Sequence, residues 1–123
     1  MAVGAGERAM KLEGPGERLT IFIGESDQFG HKPLYVEIVE RAHDAGLAGA
    51  TVVRGFEGFG ASSRIHTARI LRMTEDLPVV VIIVDRPDRI DAFLPTLDEL
   101  ISEGLVVRES VEIVKYVGRP AES

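Results

Sequence analysis

Residues 78–85 read PVVVIIVD, and the six residues from Val79 to Val84 are all apolar and all β-branched. Branching at Cβ crowds a helix and suits a pleated strand. The length, bounded by Pro78 and by Arg86-Pro87, is that of a strand rather than a helix. A half-exposed strand alternates apolar with polar residues; this one does not. The run predicts a strand whose two faces both need cover.

Working outward, Pro87 opens an amphipathic helix that runs to about Glu103. At 100° per residue, Ile90, Phe93, Leu94, Leu97, Leu100 and Ile101 share roughly 120° of arc. Pro95 interrupts the pattern, but it projects to the polar side, where a bend around the core accommodates it. Gly104 ends the helix, and Leu105–Val117 forms the last strand. Upstream, Ala48–Phe56 (AGATVVRGF) is a further strand. Before it, Leu34, Tyr35, Ile38, Val39, Ala42 and Ala45 fall within about 140° of arc, opposite Glu37, Glu40, Arg41 and Asp44. Pro33 suits this helix's first turn, Glu37 and Arg41 make an i,i+4 pair, and Gly46 supplies the stop. Arg18–Gly24 (RLTIFIG) is the first strand, with Leu19, Ile21 and Ile23 on one face.

The order βαββαβ is that of the ferredoxin-like split βαβ fold, an α+β class. It places a four-stranded antiparallel sheet under two helices on one face. The opposite face should then be polar, yet the 79–84 run, Phe22, Val114 and Tyr116 make it apolar. Apolar patches of that size are rare on monomers, so self-association through the open face is expected.

Fourteen Lys and Arg against twenty Asp and Glu leave a net charge of −6, which argues against a duplex-binding surface. With no cysteine, disulfides, thiol catalysis and Cys-ligated zinc are excluded. No apolar run approaches the ~20 residues of a membrane span, and no signal-peptide core opens the chain. A cytoplasmic protein is the plainest expectation. Residues 1–10 read as a flexible arm, 11–118 as the domain and 119–123 as a flexible tail.

The 54–77 segment, RGFEGFGASSRIHTARILRMTEDL, carries the candidate site. Gly55, Gly58 and Gly60 let the backbone approach a ligand, while Ser62 and Ser63 offer hydroxyls. Arg54 and Arg64 suit carboxylate or phosphate oxygens, with His66 between Arg64 and Arg69. These eight residues, Arg54, Gly55, Gly58, Gly60, Ser62, Ser63, Arg64 and His66, are the expected ligand-binding set. The bland alternative is a solvated hairpin tip. A Ser63–His66–Asp76 triad has no nucleophile elbow around it. Glu25 with Asp27, or Asp85 with Asp88, has the pairing that acid–base work needs, or else forms turns and helix starts. No metal-binding His spacing is present, and no cofactor is implied.

The stretch from Gly24 to Asp85, and above all AGATVVRGFEGFGASSRIHTA at 48–68, resembles the PII-like proteins grouped as domain of unknown function 190. The resemblance spans Met10–Val117. It implies a ferredoxin-like fold and a homotrimer with the sheets facing inward. PII signalling proteins carry a Gly-Phe-Gly turn, then a long mobile loop with a His-Thr pair, and bind ATP or ADP between subunits. Gly58-Phe59-Gly60 matches the turn, and His66-Thr67 resembles the pair with one extra residue between. Ser62 stands where those proteins have glutamine. Their lysine-bearing phosphate loop before the last strand has no counterpart here, where the chain reads Ser102-Glu103-Gly104-Leu105.

Three functional readings stay open. The first is a non-enzymatic sensor, a trimer taking a small anionic metabolite or nucleotide and passing the signal to a partner protein such as a transporter. The second is a small enzyme using His66 with Arg54 or Arg64 on a phosphorylated or carboxylated substrate. The third is a ligand-free assembly module.

Overall fold

The computed structural model describes residues 12–60 and 76–118. The expected arm at 1–10 and tail at 119–123 lie outside them. The elements run β1 (Gly14–Gly24), β2 (Gln28–Phe29), β3 (Lys32–Pro33), α1 (Leu34–Asp44), β4 (Thr51–Arg54), β5 (Pro78–Asp85), α2 (Pro87–Leu100) and β6 (Leu105–Ile113). The main sheet is antiparallel in the order β4-β5-β1-β6, as the split βαβ pattern requires. Strands β2 and β3 form a separate small hairpin leading into α1. Among the described residues no helix is long and apolar enough to cross a membrane.

Register decides which residues face the helices. Leu19, Ile21 and Ile23 pair with Ile83, Val81 and Val79, and all six are buried. Ile38 and Ala42 of α1, with Ile90, Phe93, Leu97 and Leu100 of α2, complete that core. Both expected apolar arcs therefore face the core, with Tyr35, Val39, Leu94 and Ile101 half-buried at its edge and Ala45 exposed as the C-cap of α1. Gly46 ends α1 as expected. Its N–H donates to His43 O and that of Leu47 to Ala42 O, the paired bonds of a Schellman stop.

Five boundaries differ from expectation. Strand β1 begins at Gly14 rather than Arg18, the added residues pairing Gly14 and Gly16 with Ile113 and Val111. Pro33 lies one residue ahead of α1, and the Leu34 N–H bonds to Asp27 O instead. Helix α2 stops at Leu100, because Ile101 turns extended to bring Gly104 hard against the Phe22 carbonyl. Strand β4 is four residues long, because the Ala48 N–H is drawn to the Asp85 carboxylate rather than into the ladder. Strand β6 ends at Ile113, after which the chain crosses toward α1, with the Tyr116 hydroxyl donating to Ala48 O at 3.4 Å.

The open face is apolar, as expected, but its membership changes. Phe22 pairs with Val80 and Leu105, Thr20 with Ile82 and Val107, and Val53 with Val80. Phe22, Val53 and Leu105 are exposed there at 41%, 47% and 54%. Val111 and Ile113 join that face opposite Gly16 and Gly14, so Val114 and Tyr116, beyond the strand end, do not extend it. Among the described residues, the one ion pair on the face is Arg18 with Glu109, at 2.8 Å.

Candidate functional site

Arg54, the last residue of β4, stands at the sheet end where Gly24 pairs with Pro78. The Gly55 N–H donates to Pro78 O at 2.7 Å, extending the ladder past the strand. A Cβ on Gly55 would stand 2.8 Å from Pro78 Cγ, so any side chain there would drive the two stems apart. Gly58 has φ +155, a conformation side chains rarely take, and lies over the same proline. Gly60 faces open space. The structure thus brings Arg54, Gly55 and Gly58 together around Pro78. Ser62, Ser63, Arg64 and His66 lie outside the described residues.

A second group was only half legible in the sequence. The turn after β1 reaches both stems. The Glu25 carboxylate pairs with Arg54 at 3.1 Å, and its N–H donates to Leu77 O at 2.8 Å. Ser26 donates from Oγ at 2.7 Å and from its backbone N–H at 3.3 Å, both to Asp76 Oδ1. Asp76 has φ +36, the left-handed region that non-glycine residues enter only when held. Asp27 Oδ2 accepts the Gly24 N–H at 3.0 Å and closes the turn. Adjacent acids were the signal at Glu25 and Asp27, and they turn out to serve an ion pair and a turn. Asp76, offered as a triad member, spends its carboxylate on Ser26.

The other acid pair is at the far end of β5. Asp85 is fully buried and accepts from the Ala48 N–H at 2.9 Å and the Arg86 N–H at 2.7 Å. Arg89 stands 4.0 Å away while donating to Gly46 O, so Asp85 pins the chain after α1 beneath the sheet. Asp88 is held below its usual pKa by the hydrogen bond from Arg86. Neither residue approaches Arg54.

Phe56 and Phe59, at 83% and 70% exposure, are the most open aromatic surfaces beside the site. A groove of about 630 Å³ lies elsewhere, lined by Leu94, Leu97, Ile101 and Val106 with Asp91 and Asp98. It runs along β6, the opposite sheet edge from Arg54. Among the described residues no cluster of three or more His, Asp or Glu is arranged to hold a metal ion.

The family model for domain of unknown function 190, described as "Uncharacterized ACR", matches residues 16–113. A UPF0166 protein of Aquifex aeolicus is 38% identical over 96 residues, 78% of this chain and 90% of the relative. A UPF0166 protein of Methanocaldococcus jannaschii is 32% identical over 98 residues, 79% of this chain and 90% of the relative. Among solved structures, CPII bound to ADP and bicarbonate, from Thiomonas intermedia K12, is similar at a TM-score of 0.44 and 19% identity, over 80% of this chain and 88% of that one.

Proposed function

Because this chain belongs to the domain of unknown function 190 family, we propose that it is a PII-like regulatory protein without catalytic activity. In this reading three copies associate through the open sheet face. A small anionic metabolite or nucleotide binds in the clefts between copies beside Arg54, Gly55, Gly58 and Gly60. Ser62, Ser63, Arg64 and His66 of the same segment add ligand contacts, and binding alters how the segment meets a partner protein such as a transporter.

The observation that carries the reading is the construction of the sheet end at Pro78. A guanidinium, two closely packed glycines and both stems of residues 55–77 meet there, tied to one turn. Ligand contacts at such a point bias the segment by their differential affinity for its two states, and a tenfold bias needs about 1.4 kcal/mol. The apolar open face supports association, since burying it removes Phe22, Val53 and Leu105 from water. An enzymatic reading gains less support: the carboxylates of Glu25, Asp76 and Asp27 are engaged by Arg54 itself, Ser26 and the Gly24 N–H.

The test is a thermal melt of purified protein against ADP, ATP, inorganic pyrophosphate and small carboxylates. A ligand that binds only the folded state raises the melting temperature by mass action, about 2.7 kcal/mol of stabilisation at a hundred times Kd. No shift with any compound favours the assembly-module reading, and turnover abolished by His66→Ala favours the enzyme.

A further inference from the structure

Arg54, the guanidinium of the proposed site, already has an anionic partner. Its terminal nitrogen is 3.1 Å from Glu25 Oε2, and its side chain is 59% exposed against 26% for Glu25. An incoming anion therefore finds the cation accessible but occupied.

The occupant is anchored through its backbone. The Glu25 N–H is bonded to Leu77 O, and the next residue, Ser26, makes two bonds to Asp76. The carboxylate thus hangs from a turn fastened to the stem that enters β5, while Arg54 ends the strand that leads out of β4. Asp27 and Asp76 sit on or against the same turn, so its local field is negative.

We infer that Glu25 is a built-in competitor for the anionic ligand at Arg54. The inference rests on the proposed reading that Arg54 receives an anion. A lone carboxylate ligand exchanges one carboxylate for another at Arg54 and gains little. A di- or triphosphate brings more charge and more acceptor oxygens than Glu25 does, so it displaces Glu25 where a monoanion fails. Glu25 therefore sets a threshold of binding, which a multiply charged phosphate crosses more readily than a monoanion.

The experiment is calorimetric titration of wild type, Glu25→Gln and Glu40→Gln with ADP, inorganic pyrophosphate and acetate at fixed ionic strength. Glutamine keeps the size of Glu25 and its backbone bond to Leu77 while removing the charge. Glu40 of α1, which pairs with Lys32 of β3, controls for the change in net charge. Glu25→Gln should bind ADP or pyrophosphate about threefold to tenfold tighter than wild type, the scale of one exposed ion pair plus a nearby repulsion. Acetate should gain by no larger a factor, and Glu40→Gln should match wild type. Binding that appears only in Glu25→Gln also supports the inference. Wild-type binding that is unchanged or weakened in Glu25→Gln overturns it and leaves the proposed site standing. An equal gain in Glu40→Gln overturns it as well. No binding in any of the three proteins overturns both the inference and the ligand reading.

Discussion

Replacing Phe22 by glutamate would set a carboxylate in the middle of the open sheet face, between Val80 and Leu105. Phe22 is 41% exposed in the single copy. Of the roughly 200 Å² of an aromatic side chain, about 80 Å² is therefore available for burial between copies. At about 25 cal/mol per Å² that is about 2 kcal/mol per copy, or about 6 kcal/mol for three copies meeting face to face. With 1.4 kcal/mol per factor of ten, the dissociation constant of the assembly should rise by about four orders of magnitude. Desolvating three carboxylates makes the loss larger still. The fold itself should persist, because Leu19, Ile21 and Ile23 on the helix side are untouched. Sedimentation velocity at micromolar concentration, with far-UV circular dichroism as the folding control, reads the result. Wild type should sediment as an assembly and Phe22→Glu as single folded copies. A wild type that sediments alone, or a variant that keeps the assembled mass, refutes the reasoning and removes the intersubunit cleft with it.

Asp85→Ala leaves the Ala48 and Arg86 N–H groups without their acceptor, and should cost about 2–4 kcal/mol in urea unfolding. Because Asp85 lies at the far end of the sheet, ligand affinity of the folded fraction should not change. Gly104→Ala places a Cβ 2.9 Å from the Phe22 carbonyl oxygen and 3.0 Å from Ile23 Cγ2 at φ +154, so a loss of about 2–3 kcal/mol is expected by the same measurement. Glu37 is held below its ordinary pKa of 4.5 by hydrogen bonds from Lys32 and then Arg41. A depressed carboxylate contributes stability above its unfolded value, and that contribution fades as pH falls through the folded one. Thermal melts of Glu37→Gln and wild type should therefore differ at neutral pH and converge as pH drops below 4.5. The gap should shrink at high salt, since the pair is on the surface.

The α+β class, both helix faces, the four main strands and the apolar open side were legible in the sequence because each rests on local pattern: periodicity in the helices and β1, an unbroken β-branched run in β5. Residues such as Leu19, Ile21 and Ile23, or Ile90, Phe93 and Leu97, announce their common face by spacing alone. The candidate segment stands out by composition instead, its glycines and arginines concentrated within residues 54–72. What spacing cannot carry is pairing across distance. That Glu25 meets Arg54, that Ser26 holds Asp76 across 50 positions, and that Asp85 draws in Ala48 depend on strand order and register. The same carboxylates read in sequence as acid–base pairs, because neighbours along a chain are visible and neighbours across a sheet are not. The tertiary structure decided their roles by bringing opposite charges and unpaired backbone donors to carboxylates from elsewhere in the chain.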